Sequence, residues 1–168
     1  MKSGVLNGPE AMSLFAQARK EGFALPAVNV VNTNSINAVL ETAAKVNSPV
    51  IIQLSFGGAE FFMGKTATTD KETTAIKGAI AAAHYVHMAA EVYQVPVILH
   101  TDHAAKKLLG WIDGLVEAGS AYYAAHARPL FTAHMLDLSE ESLADNVAIS
   151  VRYLARFAEL DMAIEIEL

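Results

Sequence analysis

His100-Thr101-Asp102-His103 places two imidazoles and a carboxylate within four residues, directly after the apolar run Pro96-Val97-Ile98-Leu99. Apolar runs of that kind are strands, so three titratable side chains crowd one strand end. Such crowding is costly unless a cation or a substrate neutralises it. Imidazole suits a divalent metal, and a carboxylate nearby suits proton transfer. Alternation along a strand sends His100 and Asp102 to one face.

Other apolar runs end in the same way. The run Leu25-Val31 carries Asn29, with Asn32 just beyond it; the run Pro49-Ser55 carries Gln53 and Ser55; the run Leu130-Met135 carries His134, with Asp137 just after it; the last segment carries Glu165 and Glu167. Two carboxylates on one face of a strand inside a barrel need a cation or a bound substrate to offset their cost. Each residue also has a plainer reading. His100 and His134 are equally compatible with hydrogen-bonded core histidines, and Asp102 and Asp137 with helix caps. Glu165 and Glu167 fit the solvent side of an edge strand. Ser55, next to Gly57-Gly58, could help bind phosphate through backbone amides, although a glycine pair is a weak signal. For His84 and His87, three apart on a helix, the favoured reading is an ordinary helix face.

The elements that position these groups alternate. Strands are expected over 25–31, 49–55, 96–102 and 130–135, with a fifth over 163–168. A leading helix is expected from Pro9 to Gly22, with Met12, Phe15 and Ala16 inward. The next follows Thr33 or Asn34 as cap, with Ile36, Val39, Leu40, Ala43 and Val46 as its stripe. An alanine-rich helix spans 72–94, after a polar loop over 64–74. Trp111, Leu115 and Val116 mark another helix, ended by Gly119. In the last, Ser139 precedes Glu140 and Glu141 in a first turn, and Leu143, Val147, Val151, Leu154 and Ala158 form the buried side. Near-continuous apolar strands separated by helices indicate an α/β fold with a parallel sheet covered on both faces. Sites in such folds gather at the carboxyl ends of the strands.

Bulk properties agree with a folded globular domain. The 168 residues are 53% hydrophobic and 18% charged, enough for a sizeable core in one domain. With no cysteine, disulfides and thiolate metal sites are excluded. A net charge of -6 and a pI near 5.4, with Lys106-Lys107 as the longest basic cluster, argue against nucleic acid as a partner. Residues 1–8 have no secretory leader pattern, and His84, His87 and Glu91 interrupt the apolar stretch after Ala79, so no membrane span is expected. The expected location is the cytoplasm.

These motifs resemble the amino-terminal half of a class II, metal-dependent fructose-bisphosphate aldolase of the long-form subgroup. The resemblance runs through Leu25-Pro26-Ala27-Val28-Asn29, 35–44, Val97 to His103, Lys106 to Leu109, Trp111 to Gly114, His134 to Ser142 and Glu165 to Leu168. It implies part of a (β/α)8 TIM barrel with about five parallel strands, in a parent enzyme that is a homodimer. It also implies reversible cleavage of fructose 1,6-bisphosphate to dihydroxyacetone phosphate and glyceraldehyde 3-phosphate. By motif, Asp102 becomes the catalytic acid and His103 one of three zinc-binding histidines. Asp137 and Glu167 become ligands of a second metal position, open to a divalent or monovalent cation. Ser55 contacts the sugar phosphate substrate and Asn29 lines the site. Ala104, Gly110 and Phe56 depart from the pattern without removing a catalytic group. The remaining strands, two zinc histidines and the glycine-rich phosphate loop of the family fall beyond Leu168, so the chain is expected to be a fragment, inactive alone. The alternatives are a tagatose-bisphosphate aldolase and a non-catalytic half-barrel that binds phosphate or a partner. An isomerase or epimerase on the same barrel accounts for the polar strand ends but not for the motif match.

Overall fold

The computed structural model describes residues 3–168. Strand β1 (Gly4–Val5) leads to helix α1 (Gly8–Glu21), then β2 (Ala27–Asn29), α2 (Thr33–Val46), β3 (Val50–Ser55), α3 (Phe56–Met63) and α4 (Lys71–Tyr93). Strand β4 (Pro96–Ala105) and a 3-10 turn (Lys106–Leu108) precede α5 (Leu109–His126), β5 (Ala133–Asp137), α6 (Leu143–Ala158) and β6 (Ala163–Glu167). The sheet is parallel throughout, in the order β2-β3-β4-β5-β6, with β1 paired to the start of β4. Sequential order along the sheet, with helices between, is the pattern of an arc of a (β/α)8 barrel.

Several element ends differ from the sequence expectation, each for a local reason. The first expected strand pairs only over Ala27–Asn29, at the sheet edge. Strand β5 starts at Ala133 instead of Leu130 and continues to Asp137. The lane beside the start of β4 is taken by β1, where Gly4 and Val5 pair with Pro96 and Val97. Thr132 Oγ1 links the two segments, donating to Leu6 O at 2.6 Å and accepting from Leu99 N at 3.0 Å. The glycines after β3 start a helix, α3, because Ser55 Oγ accepts from Gly58 N at 3.1 Å. Asn32, rather than Thr33 or Asn34, caps α2 in a reciprocal capping box with Ser35. Helix α5 runs through Gly119 to His126, and Gly119 is buried within it.

Helix α6 shows the largest departure. It starts at Leu143 with Ser142 as cap, so Ser139 and the two glutamates lie in the loop before it. Its buried side is Asn146, Ser150, Tyr153 and Phe157, while Leu143, Val147, Val151 and Leu154 are exposed. Polar groups are tolerated inside because each has a partner: Asn146 Nδ2 donates to Leu138 O and to Glu167 O, and Ser150 Oγ to Asn146 Oδ1. In α1, Ala11, Leu14 and Ala18 are buried, and Met12 and Phe15 instead line the hollow on the inner side of the sheet. Gly8 is fixed by close approach: a Cβ there would lie 2.7 Å from Ala163 N. In the same way Gly78 lets α4 close on α3, where a Cβ would stand 1.9 Å from Ala59 O.

The core lies between sheet and helices, centred on Ile52, Leu54, Val97, Leu99, Leu136, Trp111 and Phe157. No helix among the described residues is long and apolar enough to cross a membrane.

Candidate metal centre and proton-transfer site

The end of β4 does not continue its regular alternation. Thr101 pairs with His134 and Ala104 with Leu136, so Asp102 and His103 together stand opposite the single residue Met135. This is a β-bulge, with the extra residue absorbed by His103 at φ 43°, in the left-handed region. Regular pleating would send two consecutive side chains to opposite faces. The bulge brings both to the carboxyl-end mouth, with His103 Nε2 3.8 Å from Asp102 Oδ1. Thr101 Oγ1 and His134 Nδ1 share a hydrogen bond at 2.9 Å behind it, tying β4 to β5 just before the irregularity.

His103 turns its other nitrogen to the ends of β5 and β6. Nδ1 lies 3.0 Å from Asp137 Oδ2 and 3.2 Å from Glu167 Oε2. One donor atom from each of His103, Asp137 and Glu167 falls within 4.8 Å of the other two. An imidazole and two carboxylates form a mixed nitrogen and oxygen donor set that fits a divalent cation. Asp137 is oriented by Ser139, whose Oγ donates to its Oδ1 at 2.7 Å. That hydroxyl, then His103, holds the Asp137 carboxyl below its ordinary pKa. The hydrogen bond to Asp137 pushes His103 up, with the charges of Asp102 and Glu167 adding to it.

Asp102 is held on its other side by two amides. Asn29 Nδ2 donates to Oδ2 at 2.7 Å, and Gln53 Nε2 donates to Oδ1 at 3.2 Å. Gln53 Nε2 also lies 3.4 Å from His100 Nδ1, and His100 Nε2 is 3.1 Å from Glu165 Oε2. His100 and Asp102 therefore share the inner face, as alternation predicts, and Glu165 faces the interior beside His100. The sequence reading lists Gln53, His100 and Glu165 among the polar strand ends but gives none of them a specific role in the site. Their signal is parity, because Gln53 precedes Ser55 by two residues, as His100 precedes Asp102 and Glu165 precedes Glu167.

Of the six expected site residues, Asp102, His103, Asp137, Glu167 and Asn29 converge. Ser55 pairs in register with Asp102 across β3 and β4, and its hydroxyl oxygen caps α3. The other histidines lie elsewhere. His134 is fully buried among Phe131 and Phe157, and burial pushes its pKa down to about 3. His87 is buried, 3.0 Å from Leu130 O, and pushed down to about 4 by burial. His84 is an exposed helix-face residue stacked edge-on to Tyr122, as favoured from the sequence.

A parallel βα arc whose strand ends gather a carboxylate beside three side chains able to hold a cation is part of a (β/α)8 barrel with a candidate metal site at its mouth. The family model for "Fructose-bisphosphate aldolase class-II" matches residues 10–168, and the chain belongs to that family, which is metal-dependent. It is 57% identical over 169 residues to the class 2 fructose-bisphosphate aldolase of Escherichia coli strain K12, covering 100% of this chain and 47% of the relative. It is 55% identical over 168 residues to a fructose-bisphosphate aldolase of Campylobacter jejuni, covering 100% of this chain and 46% of the relative. A crystal structure of fructose-bisphosphate aldolase from Campylobacter jejuni superposes with a TM-score of 0.96 at 55% identity, over 100% of this chain and 48% of that one. A putative fructose-1,6-bisphosphate aldolase from Coccidioides immitis gives 0.63 at 26% identity, over 93% and 45%. The chain thus spans about half the length of the curated relatives it matches.

Proposed function

We propose that this chain supplies the proton-transfer group and part of the metal centre of an aldolase that reversibly cleaves fructose 1,6-bisphosphate to dihydroxyacetone phosphate and glyceraldehyde 3-phosphate. The observation that carries the reading is the bulge, which sets Asp102 beside His103 and His103 against Asp137 and Glu167. Cleavage of a carbon–carbon bond beside a ketone leaves negative charge on the departing three-carbon fragment. A bound zinc ion supplies Lewis-acid stabilisation of that charge. His103 is one of its ligands, and Asp137 and Glu167 hold a second cation position. Asp102 takes the proton from the hydroxyl that becomes the aldehyde, and returns it in the condensation direction. Asn29 and Gln53 aim its two oxygens, one amide to each. Ser55 and Asn29 contact the substrate from β3 and β2. The parent protein acts as a homodimer in the cytoplasm, on a small phosphorylated sugar.

A chimera tests the reading. These 168 residues replace the matching segment of the Escherichia coli relative, and aldol cleavage is assayed with zinc. The chimera is expected to cleave fructose 1,6-bisphosphate in preference to the tagatose isomer, and Asp102→Ala in it to lose at least about a hundredfold in kcat, the low end for a general acid–base group. A folded, zinc-loaded chimera without activity, or an unimpaired Asp102→Ala variant, refutes the proposal.

A further inference from the structure

Among the described residues, neither His100 nor Glu165 hydrogen-bonds to the donors of the cation cluster or to Asp102, yet they end a chain of contacts that reaches Asp102. We infer that His100 and Glu165 are positioning residues whose fixed hydrogen-bond polarity decides which end of the Gln53 amide faces Asp102. The inference rests on Asp102 being the proton-transfer group.

The polarity follows from the donor and acceptor inventory of each side chain. An ionised carboxylate only accepts, so Glu165 Oε2, 3.1 Å from His100 Nε2, requires a hydrogen on that nitrogen. A neutral imidazole then presents a lone pair at Nδ1. The Gln53 group 3.4 Å from Nδ1 must therefore be the amide NH2 and not the carbonyl oxygen. An NH2 has two hydrogens, and the second meets Asp102 Oδ1 at 3.2 Å. Were His100 the other tautomer, its Nδ1–H would attract Gln53 Oε1. That would turn an amide oxygen toward the Asp102 carboxylate, two acceptors face to face. The contact at 3.4 Å is long for one bond, so the arrangement relies on both ends of the chain being satisfied together.

Glutamate at 165 also suits this role by its surroundings. His100 is buried and Glu165 is half-exposed, so the carboxylate can be replaced without opening the core.

The test uses the chimera described above, with 15N-labelled histidine and glutamine side chains, read by NMR at neutral pH. Wild type is expected to show His100 as the Nε2–H tautomer alone, with the Gln53 amide in one orientation. Glu165→Gln keeps an acceptor through its amide oxygen and is expected to keep both signatures. Glu165→Leu removes the acceptor and is expected to bring in the Nδ1–H tautomer and a second Gln53 environment. His100→Phe, which keeps a ring of similar shape, is expected to free the Gln53 amide in the same way. A wild type with the proton on Nδ1, or a Gln53 amide unchanged in both Glu165→Leu and His100→Phe, overturns the inference. Cobalt(II) affinity on the same samples reports on the cation cluster separately, so failure of that site and failure of this device are read from different signals.

Discussion

Asp102 and His103 are neighbours in the chain, and their side chains nonetheless share the same mouth, with Oδ1 and Nε2 3.8 Å apart. The relationship exists because β4 gains one residue against β5 there, and His103 takes a left-handed backbone conformation to absorb it. Such a conformation costs a non-glycine residue on the order of 1–3 kcal/mol and persists where the surroundings over-determine it. Here the hydrogen bond between His103 Nδ1 and Asp137 Oδ2 holds the ring, with Glu167 Oε2 3.2 Å from the same nitrogen.

Cation binding is expected to depend on pH with a definite sign. The metal-free His103 is raised above its ordinary pKa, chiefly by Asp137, and a proton there competes with a metal. Affinity for zinc or cobalt therefore falls as pH drops through the raised value and levels off above it. Isothermal titration between pH 5.5 and 8.5 checks this and is expected to show proton release on binding at the lower pH. His103→Ala is expected to weaken zinc and cobalt binding sharply and to remove this pH dependence.

Asn146 ties the segment after β5 to the end of β6. From inside α6 it donates to Leu138 O, just past Asp137, and to Glu167 O at 2.7 Å. Asn146→Leu keeps the volume and leaves both carbonyls without that donor. A stability loss of about 2–3 kcal/mol is expected, the cost of buried groups left unpaired, together with weaker cation binding. Urea unfolding and metal titration measure the two effects.

Acid is expected to destabilise the fold before the carboxylates titrate. His87 and His134 are buried as neutral imidazoles, with folded pKa values near 4 and 3 against 6.5 when unfolded. The unfolded chain binds more protons between those limits, so stability decreases as pH falls below 6.5 and the loss is complete below the folded values. The full loss from His87 alone is about 3 kcal/mol. Urea midpoints from pH 7.5 to 4.5 test it, and His87→Gln is expected to flatten the slope.

How far the fold is legible in sequence varies by element. Strands β3 and β4 are unambiguous, because apolar runs with polar ends leave one reading. The convergence of Asp102, His103, Asp137 and Glu167 is legible from their common place at strand ends. The bulge is not, since parity alone puts Asp102 and His103 on opposite faces. Strand β1 is two residues long and has no periodicity to detect. Helix α6 misleads because its most apolar stripe, Leu143, Val147, Val151 and Leu154, is exposed, while Asn146 and Ser150 are inside. Hydrophobic periodicity finds a stripe, but the tertiary partners of Asn146 decide which side faces the sheet. Met12 and Phe15 fail similarly: they face the hollow at the inner side of the sheet, and alanines make the tight contacts.

Among the described residues of the 168-residue polypeptide, β2 and β6 are the edge strands of the sheet and α6 carries an exposed apolar stripe. Parallel edges of that kind invite association. Self-association in gel filtration and no measurable aldol cleavage with added zinc are expected. Robust turnover by the monomeric chain contradicts this.

The most direct test of the central claim is the location of a bound cation. Crystals of the chain grown with zinc, with anomalous diffraction recorded at the zinc edge, answer it. The account predicts an anomalous peak bonded to His103 and flanked by Asp137 and Glu167, with Asp102 alongside and the bulge intact. Zinc bound elsewhere, with His103 in regular strand conformation and pointing away from Asp137, contradicts it.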